Sequence, residues 1–495
     1  MSDTPTLSST LEPLLTFLAY SLSRLESTFY KIPGSAVVTR YVKSSHQNDP
    51  GRTILELILV IFAIRTLLQS RTRGDKQGKH FIQFSEKEID ELVDEWTPES
   101  LVQPLNDWEQ RDLNSVPVVT GPIGPKPKLL SNGKPVINLA SFNFAGLAGN
   151  EQIKEKAIET LRKYGLGSCG PPGFYGTVDV HLDLERNIAE FLGTEASILY
   201  SQGFSTISSV IPAFCKRGDV IVADRSVNFA IQKGIQISRS TIRWYDHNDL
   251  KSLEDASFER DGEMVDLPKL IELKLKYKYR LILDESVSFG AVGRTGRGLT
   301  ELYNVPAIQI DMLVGSVANG LCSSGGFCAG SSIVTEHQRI NGTSFVFSAS
   351  MPPLLATSAS EAISHLRNTP SILAALHENI DTIRSVLDRT EGITVLGHRA
   401  SPIIHFCLRN TQQHLTVAPP APDHEAEEQI LQDIVDDGLA NGVLITRGKH
   451  LRGQEMTDSR PTIRIAATAA LSKKDVEKTV GIVKASIARV LAKRR

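Results

Sequence analysis

The sequence predicts an α/β chain: a mostly parallel, doubly wound large domain, a smaller α+β domain after it, and an apolar helix ahead of both. Three observations carry this expectation. From residue 197 onward, short apolar runs alternate with helical stretches. After Pro352-Pro353 the texture shifts to longer helical patterns with a few strands between them. Residues 53–68, TILELILVIFAIRTLL, are apolar except for Thr53, Glu56, Arg65 and Thr66. At 495 residues the chain has room for two to three domains. Net charge −2 and 22% charged residues are ordinary for a globular protein, and no basic excess or RNA-type motif points to nucleic acid. Cys169, Cys215, Cys322, Cys328 and Cys407 are dispersed, odd in number and without metal-type spacing, which suits a reducing compartment and buried free thiols.

At the N-terminus, residues 1–52 form one segment. Leu11, Leu14, Leu15, Leu18, Leu22, Leu25 and Phe29 recur at helical spacing, giving an amphipathic helix that ends near Pro33-Gly34. A transmembrane helix is expected at 53–70. The sixteen residues 53–68 rise only about 24 Å against a hydrocarbon core of roughly 30 Å. Glu56 and Arg65 lie toward its ends and can snorkel. A buried core helix is the alternative. Arg71, Arg73, Lys76 and Lys79 follow at once and predict a cytosolic C-terminal side. Residues 71–115 read as a linker, with a charged helix at 86–96. The run 117–127, PVVTGPIGPKP, is turn-rich.

The large domain is placed at 116–355. Its strands are expected at 197–200, 219–223, 241–245, 281–283 and 312–314, with helices after Gly203 and around 231–237. Such sheets bind ligands at the C-terminal ends of strands, where Asp284 and the turn after Val314 sit. The small domain, 356–495, carries helices at 354–366, 372–387 and 430–439, and strands at 393–396, 403–406, 443–445 and 463–465. The Pro-rich acidic run 417–428 reads as a solvated loop, and the chain ends in a basic helix.

Residues 311–330, DMLVGSVANGLCSSGGFCAG, form a short apolar strand, a small-residue turn and then Gly325-Gly326-Phe327. The turn resembles the one on which fold type I enzymes of pyridoxal 5'-phosphate (PLP) carry their lysine. That lysine amine condenses with the cofactor aldehyde, and no other side chain replaces it. Asn319 stands in its place. The gap is regional: residues 279–448 contain no lysine.

Other segments carry the same resemblance over residues 90–490. Residues 164–185, YGLGSCGPPGFYGTVDVHLDLE, form a long glycine-rich run ending in Gly-Thr, His and Leu-Glu. With the Asn319 turn, it is similar to the α-oxoamine synthases, a PLP-dependent fold type I family that joins an amino acid to an acyl-CoA with loss of CO2. Within that family it resembles the long-chain-base subunit 1 branch of the eukaryotic serine palmitoyltransferases. A plain Gly/Pro loop is the alternative for the run. The resemblance makes Gly203-Phe204 the turn whose N–H groups hold the cofactor phosphate at a helix start. It sets Asn228 where a His stacks on the cofactor ring. Asp284 is the partner of the pyridinium nitrogen, and Val287 replaces a neighbouring His. Arg464 is the carboxylate clamp, with Leu471 in place of a later His. These positions are vestigial as a cofactor site, since three of five ring-site groups are altered. In the family, residues 348–353, SASMPP, cross a dimer interface, so Ser348 and Ser350 would reach a neighbour's cofactor phosphate; a capping segment before Leu354 is the alternative. Tyr164, Cys169 and Gly170 would line the same partner site.

The family also has a strand between the segment near Trp244 and the Asp284 strand. The run 253–260, LEDASFER, is too polar to fill a buried parallel position. A gap in the sheet is therefore expected near 255–261, in a shortened variant of the pattern.

The resemblance implies an acyltransferase subunit, inactive alone, with PLP held by a lysine-bearing second serine palmitoyltransferase subunit in a heterodimer. L-serine and palmitoyl-CoA would meet at the shared site. The location implied is the endoplasmic reticulum membrane, single-pass, with the main domain cytosolic. A catalytically inert scaffold is the alternative, and an autonomous synthase would need the lysine that Asn319 replaces.

Overall fold

A computed structural model describes residues 23–24, 27–31, 33–72, 84–102, 104–245, 264–409, 422–451, 453–456 and 460–493. It divides into two compact units, Met1–Gln110 and Arg111–Arg495.

The first unit holds helices α1 (Ser35–Asn48), α2 (Pro50–Thr72) and α3 (Glu86–Glu95). In α3 the start is fixed by a capping box: Ser85 N–H donates to Glu88 at 2.8 Å and Glu88 N–H donates back to Ser85 Oγ. The predicted apolar helix is present and, at 23 residues, longer than 53–70. The expected transmembrane span is not shown: no helix among the described residues is long and apolar enough to cross a membrane. Arg52, near the start of α2, pairs with Glu56 at 2.9 Å. The leucine repeat from Leu11 to Leu22 lies outside the described residues.

The second unit begins its main sheet with β1 (Ala196–Tyr200), β2 (Val220–Asp224), β3 (Thr241–Tyr245), β4 (Ile282–Asp284), β5 (Met312–Ser316) and β6 (Gly326–Gly330). One sheet runs in the order β1-β6-β5-β4 and a separate pair is β2-β3. The pairs β4-β5 and β2-β3 are parallel, while β6 is antiparallel to both β1 and β5. Strand β6 is the element that sequence patterning missed. Its GFCAG run lacks β-branched residues, and burial at all five positions makes it a strand. A Cβ at Gly315 would overlap the Phe327 ring across the β5-β6 pair, so a glycine is needed there. Beyond β4, no further strand among the described residues continues the sheet, and the run 253–260 lies outside them.

Helices α4 (Glu151–Tyr164), α5 (Asp179–Leu192), α6 (Gly203–Phe214), α7 (Phe229–Ser238) and α8 (Leu267–Tyr277) surround these strands. Asn150 caps α4 by accepting from Ile153 N–H, and Gly165 ends it at φ +77°. The core is aromatic at its centre, with Phe289 4.7 Å from Phe327 and 5.8 Å from Phe191.

Toward the C-terminus follow α9 (Pro353–Asn368), α10 (Ser371–Leu387), β7 (Ile393–Leu396), β8 (Ile403–Leu408), α11 (Pro422–Ala440), β9 (Thr446–Arg447), β10 (Ile463–Ala466) and α12 (Lys473–Ala492). The sheet here is antiparallel, ordered β7-β8-β10-β9. Two expectations need correcting. Residues 443–445 do not form one strand: Val443–Leu444 pairs in parallel with Ile137–Asn138, and β9 joins β10. Residues 422–428 are helical rather than a solvated loop, because Arg460 and Arg447 bind the carboxylates of Glu427 and Glu428 at 2.9 and 3.2 Å. Helix α9 packs on α4 and α5, so its apolar face belongs to the large domain's core although it lies almost wholly past residue 355.

Candidate functional site

The turn between β5 and β6 carries Asn319. Its Nδ2 donates to the Ser286 carbonyl at 2.8 Å, tying this turn to the loop after β4. In that loop Ser286 N–H donates to Asp284 Oδ1 at 2.8 Å. Asp284 and Asn319 thus meet through Ser286, as strand-end geometry requires. Burial raises the Asp284 carboxyl above its ordinary value, only partly offset by the hydrogen bonds from Ser286. Gly203, at the start of α6, faces the same turn: a Cβ there would lie 3.6 Å from Ser316 Oγ and 3.7 Å from the Gly325 carbonyl. Phe204 is exposed beside Phe229.

The remaining positions do less for a cofactor. Asn228 is the N-cap of α7, its Oδ1 accepting from Ala230 N–H at 2.7 Å. Val287 and Leu471 are core residues, 2% and 3% exposed. Arg464, on β10, lays its guanidinium 4.5 Å over the Phe142 ring and donates to the Ala140 carbonyl at 3.3 Å. Next in the chain, Asn143 Oδ1 accepts from Cys322 Sγ at 3.1 Å. The 140–143 segment therefore bridges Arg464 to the Asn319 turn. Nothing in the spacing of Phe142 or Asn143 signals that role.

Two groups beneath the site titrate abnormally. Glu285 is 1% exposed, and burial pushes its carboxyl up to about 7 despite N–H donation from Leu299 at 2.9 Å and a hydroxyl from Ser288. His405 pairs across the sheet with Arg464; burial, with the guanidinium beside it, pushes the ring down to about 3.

The segments expected at a partner's site are brought together. Ser350 N–H and Oγ both donate to the Gly170 carbonyl, at 3.0 and 3.3 Å. Cys169 turns the chain there with φ +56°. A Cβ at Gly176 would overlap the Gly170 carbonyl and Ser350 Oγ, so close approach demands glycine. Tyr164 sits farther along, donating to Asp179 at 2.8 Å and accepting from Lys163 at 2.7 Å. The capping alternative for 348–353 does not hold: Pro352 is the N-cap of α9, with no side-chain cap. Ser348, Ser350, Met351, His181 and Glu185 line a small cavity of about 30 Å³. A wider groove of about 990 Å³, walled by Arg294, Arg297, Arg399 and His377, includes none of the expected site residues.

The profile of aminotransferase class I and II matches residues 134–483. The chain belongs to that family. Among curated members it is 43% identical to long chain base biosynthesis protein 1 of Arabidopsis thaliana, over 73% of this chain and 77% of the relative. It is 36% identical to long chain base biosynthesis protein 1c of Oryza sativa subsp. japonica, over 97% and 98%. It is 35% identical to serine palmitoyltransferase 1 of Saccharomyces cerevisiae, over 92% of each chain. A solved serine palmitoyltransferase from S. paucimobilis superposes with TM-score 0.69 at 20% identity, covering 83% of this chain and all of the other, which establishes the shared fold.

In this class I and II member, covalently held PLP does not fit. The position that would supply an amine supplies an amide already bonded to Ser286, and residues 279–448 offer no lysine to replace it. What remains is a folded frame in which the Gly170 and Ser350 segments stay joined.

Proposed function

We propose that this chain is the lysine-free subunit of a heterodimeric serine C-palmitoyltransferase, which condenses L-serine with palmitoyl-CoA to 3-ketosphinganine, CO2 and CoA in sphingolipid synthesis. One observation carries the reading: Asn319 is locked as a structural amide while Gly170 and Ser350 remain joined in the segment that would face a partner. The kinship with serine palmitoyltransferase 1 and long chain base biosynthesis protein 1 supports it. PLP belongs to the lysine-bearing partner and supplies the carbanion chemistry there. This chain's residues wall the shared site, with the Ser348 hydroxyl available to a phosphate and Ser350 held to the Gly170 carbonyl beside it. Exposed Phe174, Tyr175 and Phe347 around the Gly170–Ser350 junction are suited to burial against that partner.

The same reading puts the chain at the endoplasmic reticulum membrane with its main unit cytosolic. Ile54, Leu55, Leu57, Ile58, Leu59, Val60, Ile61, Phe62 and Ile64 of α2 are each at least half exposed, a surface that favours an apolar medium. The test is reconstitution. The chain alone is expected to show no condensation and no borohydride-trapped PLP, with activity appearing on mixing with a lysine-bearing paralogue. Activity of the chain alone, with cofactor trapped on one of its own lysines, overturns the proposal. Assembly with such a paralogue that never gains activity favours the scaffold reading instead.

A further inference from the structure

We propose that His181 is a positioning residue: its imidazole clamps the 348–353 segment, setting the Ser348 hydroxyl where a partner's site can use it. The inference rests on the subunit reading above and names a residue that the reading does not need.

His181 lies in the first turn of α5, at the end of the glycine-rich run, and is 6% exposed. Its two ring nitrogens face opposite demands. Val178 N–H donates to Nδ1 at 3.1 Å, so Nδ1 carries no proton. Nε2 lies 2.6 Å from the Met351 carbonyl, which can only accept, so Nε2 carries the proton. Both contacts are met only by the neutral ring in one tautomer. Burial lowers the affinity of His181 for a second proton, in keeping with that state.

The clamp sits among two other ties on the same segment and one just past it. Ser350 is bonded to Gly170 on one side. The Met351 side chain fills the space over Gly325, where a Cβ would overlap its methyl group. Ser323, from the Asn319 turn, donates its hydroxyl to the Leu355 carbonyl at 2.7 Å. The turn that would carry a lysine thus serves here as a support for the segment offered outward. His181 is the tie placed between Ser350 and Pro352, and it bonds to main chain, so it fixes position regardless of side-chain rotamers.

Two substitutions separate its two bonds. His181→Asn keeps an acceptor for Val178 but is too short to reach Met351. His181→Gln places an N–H near the position of Nε2. In full-length His181→Asn, amide exchange across 349–351 is expected to rise about tenfold while exchange in β1 stays unchanged. In its complex with the lysine-bearing partner, half-saturation by added PLP is expected to rise by about tenfold, with His181→Gln within about threefold of wild type. Wild-type exchange and PLP affinity in His181→Asn overturn the proposal. So does an exchange increase spread over β1 with PLP affinity unchanged, which marks a helix cap and nothing more. Should His181→Asn fail to fold, His181→Gln decides: a rise in PLP half-saturation of about tenfold overturns the clamp, and a value within about threefold supports it. If wild-type chain forms no active complex, the subunit reading fails, and the exchange measurement on the full chain still decides the clamp.

Discussion

At the scale of single residues, Asn319 does more than mark a missing amine. Its amide holds the Ser286 carbonyl, and Ser286 in turn holds Asp284, so the β5-β6 turn and the loop after β4 both depend on it. Asn319→Lys alone is expected to give no measurable condensation, because Asn228 is spent on capping α7 and Val287 is core. It should also cost about 1 kcal/mol of stability through the lost Ser286 bond, measured by denaturant titration. Robust activity of the single chain carrying Asn319→Lys contradicts this account. Glu285 and His405 set opposite pH slopes. The Glu285 carboxyl rises from 4.5 to about 7 on folding, so its contribution is full below about 4.5 and lost as pH climbs to about 7. His405 falls from 6.5 to about 3, so its contribution is full above about 6.5 and lost as pH drops toward 3. Glu285→Gln removes the first slope only. The variant should therefore gain stability at pH 8 relative to pH 5 when compared with wild type, read from denaturation midpoints at the two values. An unchanged difference contradicts the burial argument.

At the scale of elements, the sheet is uneven. Strand β5 is buried at every position between β4 and β6, whereas among the described residues β2 pairs only with β3 and leaves Val220 and Val222 exposed. Amide exchange in β2 and β3 is expected to be at least tenfold faster than in β5 and β6; equal protection would show that the two-stranded pair is supported as a full sheet. The turn into β6 is a second tight point. Gly325 has φ +104°, and a Cβ there would overlap both Met351 and the Tyr200 carbonyl. Gly325→Ala should destabilise by roughly 2–4 kcal/mol, combining backbone strain with displacement of Met351. A midpoint within experimental error of wild type would mean that the turn can relax without moving the 348–353 segment.

At the scale of the whole molecule, the two compact units suggest different work. Unit Arg111–Arg495 contains the sheets, the Asn319 turn and the Gly170–Ser350 junction. A chain of residues 111–495 is expected to keep its cooperative unfolding, with Tm within about 5 °C of full length, and to lose membrane association in a vesicle flotation assay. Loss of cooperative unfolding in that piece would show that the N-terminal unit is part of the core. Strand positions, the strand-end placement of Asp284 and the absence of a usable lysine were legible because they follow from apolar runs and residue chemistry. Strand β6 was not legible, since its small residues carry no strand pattern and burial on both faces alone selects it. Phe142 and Asn143 were equally hidden. Their roles arise only when β10 and the β5-β6 turn approach the same loop.

The sequence by itself determined the alternation of strands and helices and the regional lack of lysine. These are properties of local pattern and side-chain chemistry, which survive without knowing any contact. Only the tertiary structure decided that Asn319 holds Ser286, that Ser350 bonds Gly170 rather than capping α9, and that His181 commits both ring nitrogens. Each of these joins residues far apart in the chain, and such pairings are fixed by packing and by the need to satisfy buried polar groups. The apolar helix shows the converse. Its pattern alone predicted a helix, and a helix of 23 residues forms over Pro50–Thr72.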